Sequence, residues 1–384
     1  MVPKVRGGDT FGPMIRIGCA GWVGAVWLLL GCQVPESAPA ESGARAPRWA
    51  QGFLWVQGDG AEWLEVREVP TEEVLARVFR DSAAYRSAGT PEKSVVLGPA
   101  ARGLATLSTT HVALIGAWAP DYAPWTGGAA LKFLQDPTAA QAVARGAVVD
   151  LGGPEIDKER LLALMPAAFT TYPFGDPLEG LGIEGHVPVV PVLEYLEPHP
   201  LGRAEWMRAF GWLCGHEAAA RADSAFAAVE RRYLALVVAP GDGPRVFTGS
   251  VHDGVWAAPG GNSLVARLIA DAGATYVFAD RLTSENVEVP FEEMVGIAAG
   301  TDAWGLISYA PEGLTRAGFL SEDPRHRLLV PPSGRLFGAN AAECDYFGAL
   351  VAQPDALLAD LVALFHPERA PGSGAGCFRW LDAP

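Results

Sequence analysis

"HEAAARADSAFAAVERRYLALVV", residues 216–238, reads as one helix with a single apolar edge. Phe226, Val229, Tyr233 and Leu236 recur at 3-4-3 spacing while the charges fall opposite. From Glu217 to Val238 such a helix would run roughly 33 Å at 1.5 Å per residue. That is long enough to join two halves of a molecule. Just before it, "RAEWMRAFGWLCG" (203–215) puts Trp206, Phe210 and Leu213 on one helical face, and Gly215 ends the run.

On both sides of this helical zone, strands alternate with helices. From "SVVLG" (94–98) onward come "GLATLSTTHVALIGAWA" (103–119), a buried strand entering a helix capped by Ser108, Thr109 or Thr110, and the short strand "GAVVDLG" (146–152). The helix "DKERLLALMPAAF" (157–169) follows, then strands in "AAFTTYPFG" (167–175) and "HVPVVPVLEYLEP" (186–198). Beyond residue 239 the pattern returns. "PRVFTGSVHDGVWAAPGGNSLVARLIADAGATYVFAD" (244–280) reads as a strand, a hairpin-like loop and a helix starting at Asn262 or Ser263. "VPFEEMVGIAAGTDAWGLIS" (289–308) is helix then strand, "GRLFGAN" (334–340) a strand, and "QPDALLADLVALFHPE" (353–368) an amphipathic helix. Such alternation calls for parallel sheets covered by helices. Glu159 and Glu293 occupy matching places, early in the helix before a middle strand of each half.

Residues 53–369 resemble the substrate-binding proteins of iron-siderophore and cobalamin ABC importers. The resemblance is carried by "LSTTHVALIGAWA", "DKERLLALMPAAF", "EYLEPHPLGRAEWMRAFGWLCG", "PGGNSLVARLIADAGATYVFAD", "PFEEMVGIAAGTDAW" and "PDALLADLVALFHPE" in that order. It implies an α/β fold of two Rossmann-like lobes with mostly parallel sheets, joined by one long α-helix, with a ligand cleft between the lobes. It further implies a monomer that captures a metal chelate (ferric siderophore, haem or corrinoid) and delivers it to an ABC permease dimer, with no cofactor and no chemistry on the ligand. Glu159 and Glu293 match the surface glutamates that such proteins offer to permease arginines. An exposed carboxylate suits docking because it forms charge-assisted hydrogen bonds to Arg and steers association. Each would also favour a helix N-terminus on electrostatic grounds alone.

Ligands of open α/β sheets sit at the carboxyl ends of the strands. That rule nominates Thr110, His111, Tyr122, Trp125, Tyr172 and Tyr195 from the first half. From the second it nominates His252, Trp256, Asn262, Tyr309, Asn340 and Tyr346. Aromatic side chains offer a bulky chelate large contact area with few rotors. Only Arg281 and Arg335 fall near strand ends, which favours a neutral or corrinoid-like ligand over an anionic catecholate. His111 or His252 has the chemistry to ligate cobalt or iron directly, yet no converging His, Asp and Glu set points to a bare metal ion. Ser250, His252 and Asp253 suggest a hydrolase only superficially, since no Gly-x-Ser-x-Gly elbow and no Gly-x-Gly-x-x-Gly loop is present. A lipoprotein sensor or scaffold is the other alternative. A helical connection resists hinging, so closure on a ligand should be small, and scattering should register a nearly constant radius of gyration.

The N-terminal stretch suggests a compartment. "MIRIGCAGWVGAVWLLLGC" (14–32) pairs a basic flank, Arg16, with an uncharged run too short to span a bilayer comfortably. Its Leu-Leu-Gly-Cys end resembles a bacterial lipobox, which implies removal of residues 1–31 and lipidation of Cys32 on the periplasmic side of a bacterial membrane. Residues 32–52, rich in Pro, Ala, Ser and Gly, form a tether. The expected order is then an N-terminal lobe at 53–200 opening with a β-hairpin around Gly58-Asp59-Gly60, a helical connector at 201–239 and a C-terminal lobe at 240–384. Cys214, Cys344 and Cys377 remain; a Cys344–Cys377 disulfide is open on sequence grounds, and a cysteine metal site is not expected. The net charge of −15, from 44 acidic against 29 basic residues with no dense Lys/Arg patch, argues against a nucleic-acid partner.

Overall fold

Three five-stranded sheets and a small fourth one organise the chain in the computed structural model. It describes residues 43–384 apart from 59, 70, 154, 173–181, 184, 242, 253–254, 370–373 and 382–384. The lipobox and Cys32 lie outside the described residues. The first sheet runs β1 (Ala44–Arg45), β2 (Phe53–Gly58), β3 (Ala61–Arg67), β4 (Val74–Phe79) and β5 (Ser94–Val96) in sequence order. The β2–β3 hairpin forms with Phe53 opposite Val66, so it is one part of a larger antiparallel layer. "SVVLG" does not open the parallel alternation: β5 pairs parallel with β4 at the edge of this layer. Its three residues fit either setting, and the neighbouring strand decided between them.

The second sheet holds β6 (Leu104–Thr106), β7 (Trp125–Gly128), β8 (Val149–Asp150), β9 (Ala168–Thr171) and β10 (Val189–Pro191), all parallel, in the order β10-β9-β6-β7-β8. Its helices are α2 (Thr109–Gly116), α3 (Pro137–Ala144) and α4 (Lys158–Leu164), while the short α1 (Ser82–Ser87) belongs with the first sheet. The third sheet holds β11 (Arg245–Thr248), β14 (Thr275–Tyr276), β16 (Ala303–Ser308), β17 (Arg335–Asn340) and β18 (Phe378–Trp380), in the order β14-β11-β16-β17-β18 with only β18 antiparallel. A three-stranded antiparallel sheet, β12 (Ser250–His252), β13 (Val255–Pro259) and β15 (Asn286–Pro290), leaves β11 as a hairpin. Helices α7 (Leu264–Asp271), α8 (Phe291–Ala298), α9 (Arg316–Glu322), α10 (Ala349–Ala352) and α11 (Pro354–Phe365) complete this lobe.

Between the two parallel sheets run α5 (Pro200–Leu213) and α6 (His216–Leu236). The apolar edge of α6 is Ala218, Ala222, Phe226, Val229 and Tyr233, with Leu236 only half-buried. Gly211 of α5 leaves no room for a Cβ against Ala222, so the two helices approach backbone to backbone. The Tyr233 hydroxyl donates to Asp271 Oδ2 of α7 at 2.6 Å, and Arg232 pairs with Asp355 of α11. Helix α5 departs from the one-faced reading: Glu205, Met207, Ala209 and Trp212 are buried as fully as Trp206 and Phe210. It is enclosed by α2, α6, α10 and the segment before β2, so it has no solvent face of consequence. A disulfide joins Cys344 to Cys377, with Cα atoms 5.6 Å apart, and ties the loop after β17 to β18. Cys214 stays a free thiol that burial pushes up to about 12.

Candidate ligand-binding site

In each parallel sheet the strand order reverses beside the lobe's first strand, between β6 and β9 in one and between β11 and β16 in the other. Such reversal points open a crevice at the carboxyl ends of the strands. In the first lobe β6 runs into α2 through the N-cap Ser108, whose Oγ accepts from the Thr110 amide at 3.2 Å. This capping turns Thr110 toward β10, and its hydroxyl donates to Glu194 Oε1 at 2.5 Å. Glu194 is 3% exposed, and its Oε2 lies 3.7 Å from His111 Nε2. Burial would raise its carboxyl pKa, but His111, Thr110 and Arg203 together hold it below the usual value.

Arg203 of α5 donates to the carbonyls of Tyr195 and Glu197 at 2.7 and 3.3 Å. Burial lowers its pKa, opposed by Glu194, Tyr346 and Glu197. The second lobe supplies Tyr346 and Phe347 after β17, Leu264 and Leu268 of α7, and Leu350 of α10. With Thr110, Glu194, Tyr195 and Arg203 these enclose an interlobe cavity of about 170 Å³. The gap is narrow, and Gln135 Nε2 bridges it to the Ala341 carbonyl at 2.8 Å. A larger cavity, about 510 Å³, lies within the second lobe at its reversal point. Its walls include Thr248 at the end of β11, Ser250 of β12, Gly305 to Ser308 of β16, and Ile269 of α7.

No protein-family profile matches the chain. An uncharacterized lipoprotein of Methanocaldococcus jannaschii is 26% identical over 241 residues, 60% of this chain and 56% of that protein, so the chain spans little more than half the length of this curated relative. Among solved structures, a periplasmic binding protein of Veillonella parvula matches with a TM-score of 0.53 at 12% identity, over 82% of this chain and 98% of that one. The periplasmic haem-binding protein HutB of Vibrio cholerae matches with a TM-score of 0.53 at 14% identity, over 69% and 100%. The chain has the fold of the periplasmic solute-binding proteins.

Within this binding-protein fold, three of the residues nominated from sequence meet at the interlobe cavity: Thr110, Tyr195 and Tyr346. Tyr172 is exposed and meets Tyr195 edge-on at 6.5 Å, and Tyr309 is exposed just after β16. Others belong to the core instead. His111 is fully buried, with Nδ1 bonded to Thr170 Oγ1 at 3.0 Å and Nε2 turned to Glu194 at 3.7 Å, and it does not line the cavity. Trp125 donates to Thr106 Oγ1 and Trp256 to the Thr248 carbonyl, each at 3.1 Å in its lobe's interior, and Tyr122 packs on Trp125. Asn340 is spent on structure: it accepts from the Ala310 and Ala342 amides and donates to the Ala310 carbonyl and Glu343. Asn262 is exposed on a separate groove beside His199 and Arg267, with its amide bonded to Thr283. His252 ends β12, with its side chain outside the described residues. Arg335 opens β17, at the wrong end for the cavity, and stacks on Trp380 at 3.8 Å.

Sequence reasoning missed Glu194, Arg203, Phe347 and Leu268. Glu194 carried a signal, an acid directly after the apolar strand PVVPVL, which Tyr195 beside it eclipsed. Glu159 and Glu293 are both exposed in the first turn of their helices. Helix α4 enters β9 and α8 enters β16, and each of these strands pairs with the first strand of its lobe. The two carboxylates thus hold topologically equivalent positions.

Proposed function

We propose that this chain is an extracytoplasmic solute-binding protein, lipid-anchored at Cys32, that captures a metal chelate of the ferric siderophore, haem or corrinoid class and hands it to the permease dimer of an ABC importer. The observation that carries this reading is the interlobe cavity, where loops from the carboxyl ends of two parallel sheets meet around Thr110, Tyr195 and Tyr346. The haem named for the Vibrio neighbour supports the ligand class, and the lipoprotein relative supports the anchor. Glu159 and Glu293, exposed at equivalent places in the two lobes, are the permease contacts in this reading, and binding requires no chemistry on the ligand. A thermal-shift screen of the detergent-solubilised full chain against ferric siderophores, haem and corrinoids tests it. At least one class should raise the melting temperature and alter tryptophan emission, because Trp304 packs on Phe319 and His326 in the wall of the larger cavity. No shift with any class would sink the proposal.

A further inference from the structure

The interlobe cavity of about 170 Å³ is small for its proposed task. Pockets that bury a drug-sized ligand usually measure about 300–1,000 Å³. The second-lobe cavity, at about 510 Å³, falls within that range. The two are neighbours, since Leu268 and Tyr346 line both. Their walls differ in chemistry. The interlobe side carries the buried Glu194 carboxyl and the Arg203 guanidinium. The inner side is walled by Ile269, Leu306, Phe337 and Leu361, and acids appear at its rim in Glu322 and Asp323.

Resting on the chelate-binding reading, we propose that the second-lobe cavity is a subsite for a neutral alkyl or aryl arm of the bound chelate, with the polar chelating head held in the interlobe gap and Tyr346 and Leu268 as the threshold between them. Apolar walls gain free energy in proportion to the apolar surface they take from water, so they select for the arm's length. Glu322 disfavours an arm ending in a free carboxylate, which it would meet as a like charge, while Asp323 beside it is already paired with Arg325. Tyr346 suits the threshold. It lines both cavities, so it presents its ring and hydroxyl at their boundary.

Two ferric chelates that differ only in the arm give the test: ferrioxamine B and its N-octanoyl derivative, titrated into the detergent-solubilised full chain. A neutral N-octyl nitrobenzoxadiazole amine serves as a probe of the cavity alone. The octanoyl chelate should bind at least about tenfold tighter than its parent, as expected for apolar groups filling a hydrophobic pocket. Leu361→Trp and, independently, Ile269→Phe should each abolish that gain and exclude the octyl probe. Thermal melts of both variants confirm folding. Equal affinity for the two chelates, with no response to either substitution, would overturn the subsite while leaving the chelate-binding reading intact. Octyl-probe binding lost in the variants, with neither chelate bound, would overturn that reading and the proposal with it, leaving only an apolar cavity. Failure of all three compounds to bind would overturn both.

Discussion

At the residue scale, position at a strand end did not by itself separate ligand contacts from packing. Trp125 and Tyr195 are both aromatics beside a strand end, yet the first, which opens the interior strand β7, is 1% exposed with its indole bonded to Thr106, and the second lines the cavity. Trp125→Ala should cost about 3–5 kcal/mol of stability, the range for removing a buried aromatic. Tyr195→Ala should leave the denaturation midpoint nearly unchanged and weaken ligand binding about tenfold. Paired denaturation and titration of the two variants checks this, and the reverse pattern would exchange their roles. Glu197 adds a pH dependence. Burial raises its carboxyl pKa above 4.5, with Glu205 adding repulsion, although the Gly52 and Gln51 amides and the Trp206 indole oppose the shift. A carboxyl whose folded pKa is raised binds its proton more tightly in the native state. It therefore costs stability above the folded pKa, and the cost fades as pH falls through that value and is gone below 4.5. The stability of Glu197→Gln relative to the parent should consequently rise from acid to neutral pH in denaturant titrations, and a constant difference would contradict this account.

At the element scale, the connector does more than separate two lobes. Helix α5 carries Glu205, fully buried, whose carboxylate accepts the backbone amides of Arg48, Trp49 and Ala50 and pairs with Arg208 at 2.7 Å. Glu197, just before α5, takes the next two amides, Gln51 and Gly52. The Trp49 indole reaches Glu230 of α6 at 2.6 Å. The last residues expected to be tether are thus strapped to both connector helices, because two buried carboxylates supply the acceptors that an irregular segment otherwise lacks. Glu205→Ala would leave three amides without their acceptor and Arg208 with Asp223 as its remaining carboxylate partner. It should destabilise the fold by about 3–5 kcal/mol, as breaking buried charged pairs does. Limited proteolysis should then cut near residues 48–52 well before the rest of the chain unfolds. Unchanged resistance there would mean that Glu197 and the Trp49–Glu230 bond suffice to hold the strap.

At the scale of the whole molecule, the proposed docking depends on one carboxylate from each lobe. Glu159→Arg combined with Glu293→Arg should abolish uptake in cells while the purified protein retains its ligand affinity, since both side chains stand in solvent away from the cavity walls. A loss of affinity in the double variant would count against a docking role. Cys32→Ala should move the protein from the membrane to the soluble fraction, and continued membrane association would refute the lipid anchor.

The sequence by itself determined the alternation of strands and helices, the long helix at 216–236 and the matching glutamates, and it narrowed the α2 and α7 caps to a few neighbours from which the structure selects Ser108 and Ser263. These are local or periodic properties, and each is written in a few consecutive residues. Tertiary structure alone decided that SVVLG joins an antiparallel layer, that α5 is enclosed on every side, that Asn340 is consumed by internal bonds and His111 buried in the core, and that the larger cavity lies inside the second lobe. The reason is physical: which partner satisfies a strand edge or a polar side chain, and where packing leaves a void, depend on residues distant in the chain. Glu205 meeting Trp49 is such a case, a contact that no local pattern announces.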